Sequence, residues 1–214
     1  MTFTVLAVCA ANVCRSPLMA VGLEHSLAAH GLGADVVVLS AGAVATTDAG
    51  VCPDVERLTR ARGLPWLALG RHRSTPLTDE LVDRADLVVT ADRGLRSEVL
   101  KRARPGSTGR TFTLREAAEL ADPASARVQG HTVDDQLRSL VAQMNHTRGF
   151  IDLPGVERVT SRALPWRRLD VHTHDVPDAH DEPRAPHGVV CRLVVPAAER
   201  IATSLARGVM ASLP

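Results

Sequence analysis

Four short apolar runs, each followed by a stretch with helical spacing, constrain this chain more than any other feature. Residues 4–8, 35–40, 86–90 and 110–114 are rich in valine, leucine and threonine and have the length of buried strands. Between them, 18–30 carries Leu18, Val21, Leu23 and Leu27 on one side and ends at Gly31 and Gly33. Residues 54–63 form a second helical stretch ending at Gly63, and 92–102 a third, stopped by Pro105 and Gly106. Thr78 has the position of a helix N-cap, with Asp79 and Glu80 in the first turn. A helical start follows at 115–120. Strand and helix in alternation predict an α/β fold: a parallel sheet between two helical layers, three-layer αβα.

Beyond residue 120 the pattern loosens. One helix is predicted over 132–147, where Val133, Leu137, Leu140, Val141 and Met144 keep helical spacing. Residues 175–187 form a loop rich in acids and histidine, and a last helix covers about 189–211. The 214 residues suit a single domain, 1–214, carrying an insertion at about 121–174.

The chemistry concentrates between the first strand and the first helix, in Cys9-Ala10-Ala11-Asn12-Val13-Cys14-Arg15-Ser16, followed by Pro17. At such a junction successive backbone N–H groups converge on an anion, and the helix N-terminus adds partial positive charge. The same field favours the thiolate form of a cysteine at its centre, which points to Cys9 as nucleophile. Arg15 is placed to fold over the loop and clamp two phosphate oxygens. Ser16 can donate to the sulfur, and Asn12 tolerates the left-handed backbone of a tight loop. The bland alternative is that Cys9 and Cys14 are small buried hydrophobes.

Cys9 and Arg15 with five residues between them, then Ser16-Pro17, behind an N-terminal strand, resemble the low-molecular-weight protein tyrosine phosphatase family. The likeness extends to Ser40-Ala41-Gly42, to His72-Arg73 and to Ala91-Asp92-Arg93. It covers 1–120, resumes near 175 and runs to the end. It implies a four-stranded parallel sheet of the phosphotyrosine protein phosphatase I type. It also implies a network in which Asn12, Ser40 and His72 support the loop.

Phosphoester cleavage by a thiolate needs an acid for the leaving oxygen. In the family this is an aspartate followed by proline near the C-terminus. Asp178 is the better match and Asp175 the fallback, but Ala179 replaces the proline, and His180 and Asp181 replace the aromatics that usually follow. Residues 43–49 also lack an aromatic. The side walls for a phosphotyrosyl ring are therefore missing, unless Trp66 or Trp166 supplies one. The 121–174 insertion, just before the acid loop, either caps the site or elaborates the surface.

These residues imply a cysteine-dependent phosphatase acting on a phosphomonoester, protein phosphotyrosine first, through a phosphocysteine, with no cofactor. The expected partners are a phosphorylated protein or small phosphomonoester, and inorganic phosphate or a similar oxyanion in the loop. One alternative is arsenate reduction, but 86–120 hold no resolving cysteine. Another is phosphoarginine hydrolysis, against which Val13 argues, since such relatives carry threonine there. A third is a phosphate-binding regulatory module with weakened catalysis. Cys14 beside Cys9 suggests a reversible disulfide that protects the nucleophile. His172, His174, His180 and His187 lie near acids, but their spacing matches no known ligand set and no metal is expected.

A net charge of +1 gives no reason to expect nucleic acid or an anionic membrane as partner. No apolar run approaches the ~20 residues of a bilayer span. Four scattered cysteines and an N-terminus without a basic region point to a reducing cytoplasm.

Overall fold

A computed structural model describes residues 2–150, 155–160, 168–182 and 185–210. Four parallel strands form one sheet in the order β2-β1-β3-β4: β1 (Phe3–Cys9), β2 (Val36–Gly42), β3 (Leu87–Thr90) and β4 (Thr111–Thr113). The register runs from Phe3 opposite Val36 to Cys9 opposite Gly42, and from Val5 opposite Leu87 to Val8 opposite Thr90.

Helices cover both faces. In chain order they are α1 (Arg15–Ala29), α2 (Pro53–Arg60), α3 (Trp66–Gly70), α4 (Asp79–Arg84), α5 (Arg93–Arg102), α6 (Leu114–Ser125), α7 (Val133–Thr147) and α8 (His187–Met210). The two-residue period of a strand divides β1 between two cores. Phe3, Val5, Ala7 and Cys9 join the larger one, with α1, α6, α7 and α8. Leu6 and Val8 join a smaller one with Val82 of α4, Val88 and Val99 of α5.

Several boundaries differ from the sequence expectation, each for a local reason. Helix α1 begins at Arg15 rather than 18; Pro17 falls in its first turn, where an N–H has no intrahelical partner. Helix α6 continues past 120 to Ser125, started by a reciprocal cap: Thr113 Oγ1 accepts from Glu116 N, and the Glu116 carboxylate accepts from Thr113 N. Residue 66 opens a five-residue helix, α3, where no element was expected. Helix α7 lies within the segment read as an insertion, yet buries Leu137, Leu140, Val141 and Met144 in the larger core. After it comes an antiparallel hairpin, β5 (Val156–Thr160) and β6 (Arg168–His172), with no counterpart in the sequence reading. Trp166 and the expected end of the last helix at 211 lie outside the described residues.

Candidate active site

The loop that leaves β1 closes around the sulfur of Cys9. The sulfur is buried and accepts hydrogen bonds from the Asn12 backbone N–H at 3.2 Å and from Ser16 Oγ at 3.0 Å.

Asn12 organises this arrangement. Its φ of 56° is left-handed, which a short polar side chain tolerates. Its side-chain oxygen accepts from Thr75 N at 2.7 Å, which fixes the orientation of the amide. The amide nitrogen must then face the other way, and it donates to Ser16 Oγ at 2.8 Å and Ser40 Oγ at 3.0 Å. The Ser16 oxygen accepts that bond, leaving its one hydrogen for the sulfur at 3.0 Å, with the Ala41 carbonyl at 3.3 Å as the competing acceptor. His72 Nε2 lies 2.7 Å from the Asn12 carbonyl; a carbonyl only accepts, so this nitrogen carries the proton.

Gly42 sets the other side of the loop. A Cβ there would stand 2.5 Å from the Ala10 oxygen and 2.7 Å from the Asn12 nitrogen. Only glycine lets the end of β2 approach the loop so closely. Ala43 N and Val44 N then bond the carbonyls of Cys9 and Ala10, both at 3.0 Å.

Arg15 lies buried across the mouth of the loop. Nη1 donates to Asp92 Oδ2 at 2.9 Å and to the Val176 carbonyl at 3.1 Å; Nη2 donates to Asp178 Oδ2 at 2.5 Å. Among the described residues, its Nε–H and second Nη2–H have no partner. Of the two aspartates considered from sequence, Asp178 is the one on this guanidinium. Asp175 is bound by Arg93, through its backbone N–H at 3.0 Å and its side chain at 3.0 to 3.3 Å. Asp178 Oδ1 also accepts from His180 N at 3.0 Å, forming a turn in the acid loop.

Asp92 was missed as a site residue. Its Oδ1 caps α5 by accepting from Leu95 N at 2.8 Å, while Oδ2 faces Arg15. Its place at a helix N-cap was the available signal, and it suggests only the structural half of the role.

A cleft of about 590 Å³ opens over Arg15. Ala10 and Arg15 form its base; Asp92, Leu95, the acid loop and residues 169–172 of β6 form its walls. Among the described residues, His172 supplies the only aromatic ring in this lining. Carboxylates dominate the rim: Asp92, Asp170, Asp175, Asp178, Asp181 and Glu182.

Cys14, within the same loop, is buried, and all four cysteines are free thiols. Burial pushes the Cys14 thiol pKa well up, with Cys52, Cys9 and Asp178 adding to the rise and Arg15 opposing it. Cys52, ahead of α2, reaches the loop by donating its N–H to the Val13 carbonyl at 2.7 Å. His187 and His180 meet there: Cys52 Sγ is 3.2 Å from His187 Nε2, which is 3.4 Å from His180 Nε2. Burial holds the His187 pKa below that of a free imidazole, although Asp54 pulls it up. His172 and His174 lie apart from this group and meet edge to face, ring centroids 5.0 Å apart.

Residues 4–146 match the family described as "Low molecular weight phosphotyrosine protein phosphatase", a span that takes in all of α7 but its last residue. The chain is 34% identical over 122 residues to the "Probable low molecular weight protein-tyrosine-phosphatase EpsP" of Ralstonia nicotianae, covering 56% of this chain and 77% of that protein. It is 27% identical over 150 residues to the "Protein-arginine-phosphatase" of Geobacillus stearothermophilus, covering 67% and 95%. In fold it is similar to the tyrosine phosphatase Wzb from Escherichia coli K30 in complex with sulphate, with a TM-score of 0.59 at 19% identity, over 96% of this chain and 99% of that one. With the parallel αβα sheet and the match over two thirds of its length, the chain belongs to the low molecular weight phosphotyrosine protein phosphatase family and is a phosphoric monoester hydrolase.

Proposed function

We propose that the chain hydrolyses phosphomonoesters, protein phosphotyrosine first among them, through a phosphocysteine on Cys9. The observation that carries this reading is the pair of hydrogen bonds converging on Cys9 Sγ beside a buried arginine whose Nε–H edge is still unspent. The loop from Ala10 to Ser16 supplies backbone N–H groups to the equatorial oxygens, and the free edge of Arg15 supplies two more donors.

In the first step the Cys9 thiolate attacks phosphorus and the P–O bond to the leaving group breaks. Asp178, protonated, gives its proton to the departing oxygen. In the second step the Asp178 carboxylate takes a proton from water, which displaces the sulfur and releases inorganic phosphate. Asp178 must leave the Arg15 fork to do this. A proton on its carboxylate weakens that ion pair at the moment of need. Asn12, Ser40, Ser16 and His72 are positioning residues for the loop.

We read 1–214 as one phosphatase domain, with the hairpin of the 121–174 segment forming a wall of the cleft. The four free thiols support a cytoplasmic setting. A sulphate complex of a protein with the same fold supports an oxyanion in the loop.

The test is Cys9→Ser. Turnover of an aryl phosphate is expected to vanish while phosphate still binds, measured by calorimetry. Wild-type turnover in that variant would sink the mechanism. A second reading, phosphoarginine hydrolysis, draws support from the acid-rich rim, which suits a cationic leaving group, and from the relative named as a protein-arginine-phosphatase. Matched phosphotyrosyl and phosphoarginyl peptides separate the two, and the phosphotyrosyl peptide is expected to have the higher kcat/KM.

A further inference from the structure

Four side chains from distant parts of the sequence bring soft donor atoms together at the flank of the phosphate loop. Cys14 belongs to that loop and Cys52 precedes α2. His180 belongs to the acid loop and His187 opens α8. The Cys14 sulfur and a nitrogen from each histidine all lie within 4.8 Å of one another. Cys52 Sγ and His180 Nε2 approach the same His187 nitrogen, at 3.2 and 3.4 Å.

The His187 orientation suits a ligand role. Its Nδ1 faces Asp54 Oδ2 at 3.6 Å, while Nε2 faces Cys52 and His180. An acid behind the far nitrogen is the usual support of a metal-bound imidazole.

Two separations already match. Two nitrogens bound tetrahedrally to zinc at ordinary bond lengths stand about 3.4 Å apart, and a nitrogen and a sulfur about 3.5 Å apart, as His187 does from His180 and from Cys52. Cys52 groups within 4.8 Å with Asp54 and His187 rather than with Cys14 and His180, so its thiol must draw in as the ion binds. Two thiols and two imidazoles form the donor set of a closed zinc site.

We propose that Cys14, Cys52, His180 and His187 bind a zinc-type divalent cation. Both thiols give their protons to solvent as the metal–sulfur bonds form. Two thiolates then neutralise the ion, and no electron is transferred. The spacing in sequence hid the site, because the four ligands are spread over more than half the chain.

Occupation has a consequence for turnover, and this part rests on the function proposed above. Cys14 precedes Arg15, and His180 donates its N–H to Asp178. A cation held by both ties the acid loop to the phosphate loop with Asp178 on the arginine fork. The metal-bound enzyme is therefore expected to be slow.

Cobalt is the probe, titrated into Cys9→Ser protein so that the nucleophile cannot serve as a ligand. One equivalent is expected to bind with a tetrahedral visible spectrum and a thiolate charge-transfer band, and zinc is expected to displace it. Cys52→Ser and His187→Gln, each added to Cys9→Ser, should weaken binding on the order of 10²-fold. Absence of the thiolate band, or equal affinity in all three proteins, overturns the site. This readout needs no turnover, so it stands apart from any failure of the phosphatase mechanism. With Cys9 intact, Cys52→Ser should keep the metal-free rate and need far more zinc for inhibition. Equal zinc sensitivity in Cys52→Ser and wild type overturns the regulatory half.

Discussion

The molecule contains two buried Arg–carboxylate centres of inverse composition. At the cleft, one arginine, Arg15, lies between two carboxylates, Asp92 and Asp178. In the first turn of α6, one carboxylate, Glu116, lies between two arginines, Arg96 and Arg148, at 3.0 and 2.9 Å. Both central side chains are 4% exposed. They differ in what is left over. Glu116 is engaged on both oxygens: one takes Arg148, and the other takes Arg96 and the Thr113 N–H. Arg148 also donates to the Thr111 carbonyl at 2.7 Å and stacks over Phe112 at 4.1 Å from the ring centroid. Arg15 keeps two N–H groups in hand and carries one positive charge against two negative ones. The Glu116 arrangement is closed and serves stability. The Arg15 arrangement is open, and a proton on Asp178 or an anion on the free edge changes it.

The sharpest way to break this contrast is Arg15→Lys. A point charge cannot replace a planar fork, so kcat/KM on an aryl phosphate is expected to fall by about 10³-fold. Stability, followed by urea unfolding, should fall by less than that loss implies. Comparable activity in the lysine variant would remove Arg15 from the proposed chemistry.

Glu116→Gln tests the closed centre. Two guanidinium groups lose their counter-charge, which costs about 3 kcal/mol, at the low end for a broken buried pair because both arginines keep some contact with water. Turnover per folded molecule should stay at the wild-type level. A loss of activity without a loss of stability would mean that the two centres communicate.

Asp178→Asn reads the open centre from its other side. A missing general acid is expected to lower kcat about 10²-fold, most for poor leaving groups. Phosphate should bind more tightly, since a carboxylate no longer competes for Arg15. An unchanged rate would move the acid elsewhere or favour a binding module over an enzyme.

The smallest effect concerns His174, beside the Glu116 centre. Burial holds its pKa below that of a free imidazole, His172, Arg96 and Arg93 push the same way, and Glu116 opposes them. The unfolded chain takes up this proton near the ordinary imidazole value of about 6.5, before the folded chain does. Stability from this group is therefore present above that value and declines as pH falls below it. The Tm of His174→Gln should drop less between neutral and mildly acidic pH than that of wild type. Identical slopes would assign the acid sensitivity to other groups.

Much of the fold was legible because its signals are local. The runs at 4–8 and 86–90 are buried on both faces, so valine and leucine crowd there without alternation, and Thr78 acts as the expected cap by accepting from Leu81 N at 3.3 Å. The spacing of Cys9, Arg15 and Ser16 was legible for the same reason, since one turn of chain holds them. The hairpin was not. Four of the five residues of β5 are exposed, so no alternation of apolar and polar residues marks the strand. The acid was only half legible: two aspartates three residues apart look alike until Arg93 is seen to occupy one of them. Least visible was the meeting of Cys52 with His187, which local patterns cannot reveal across 135 positions.

Gly42 has one more implication. With the end of β2 pressed against the oxyanion cradle, that flank is solid main chain and has nowhere to go. The opposite flank is the segment bearing Asp178, attached to the cradle through side-chain contacts and the Val176 carbonyl. Under the proposed mechanism any breathing is thus expected on one side only: the Asp178 segment, rather than the cradle, would give way as phosphate leaves.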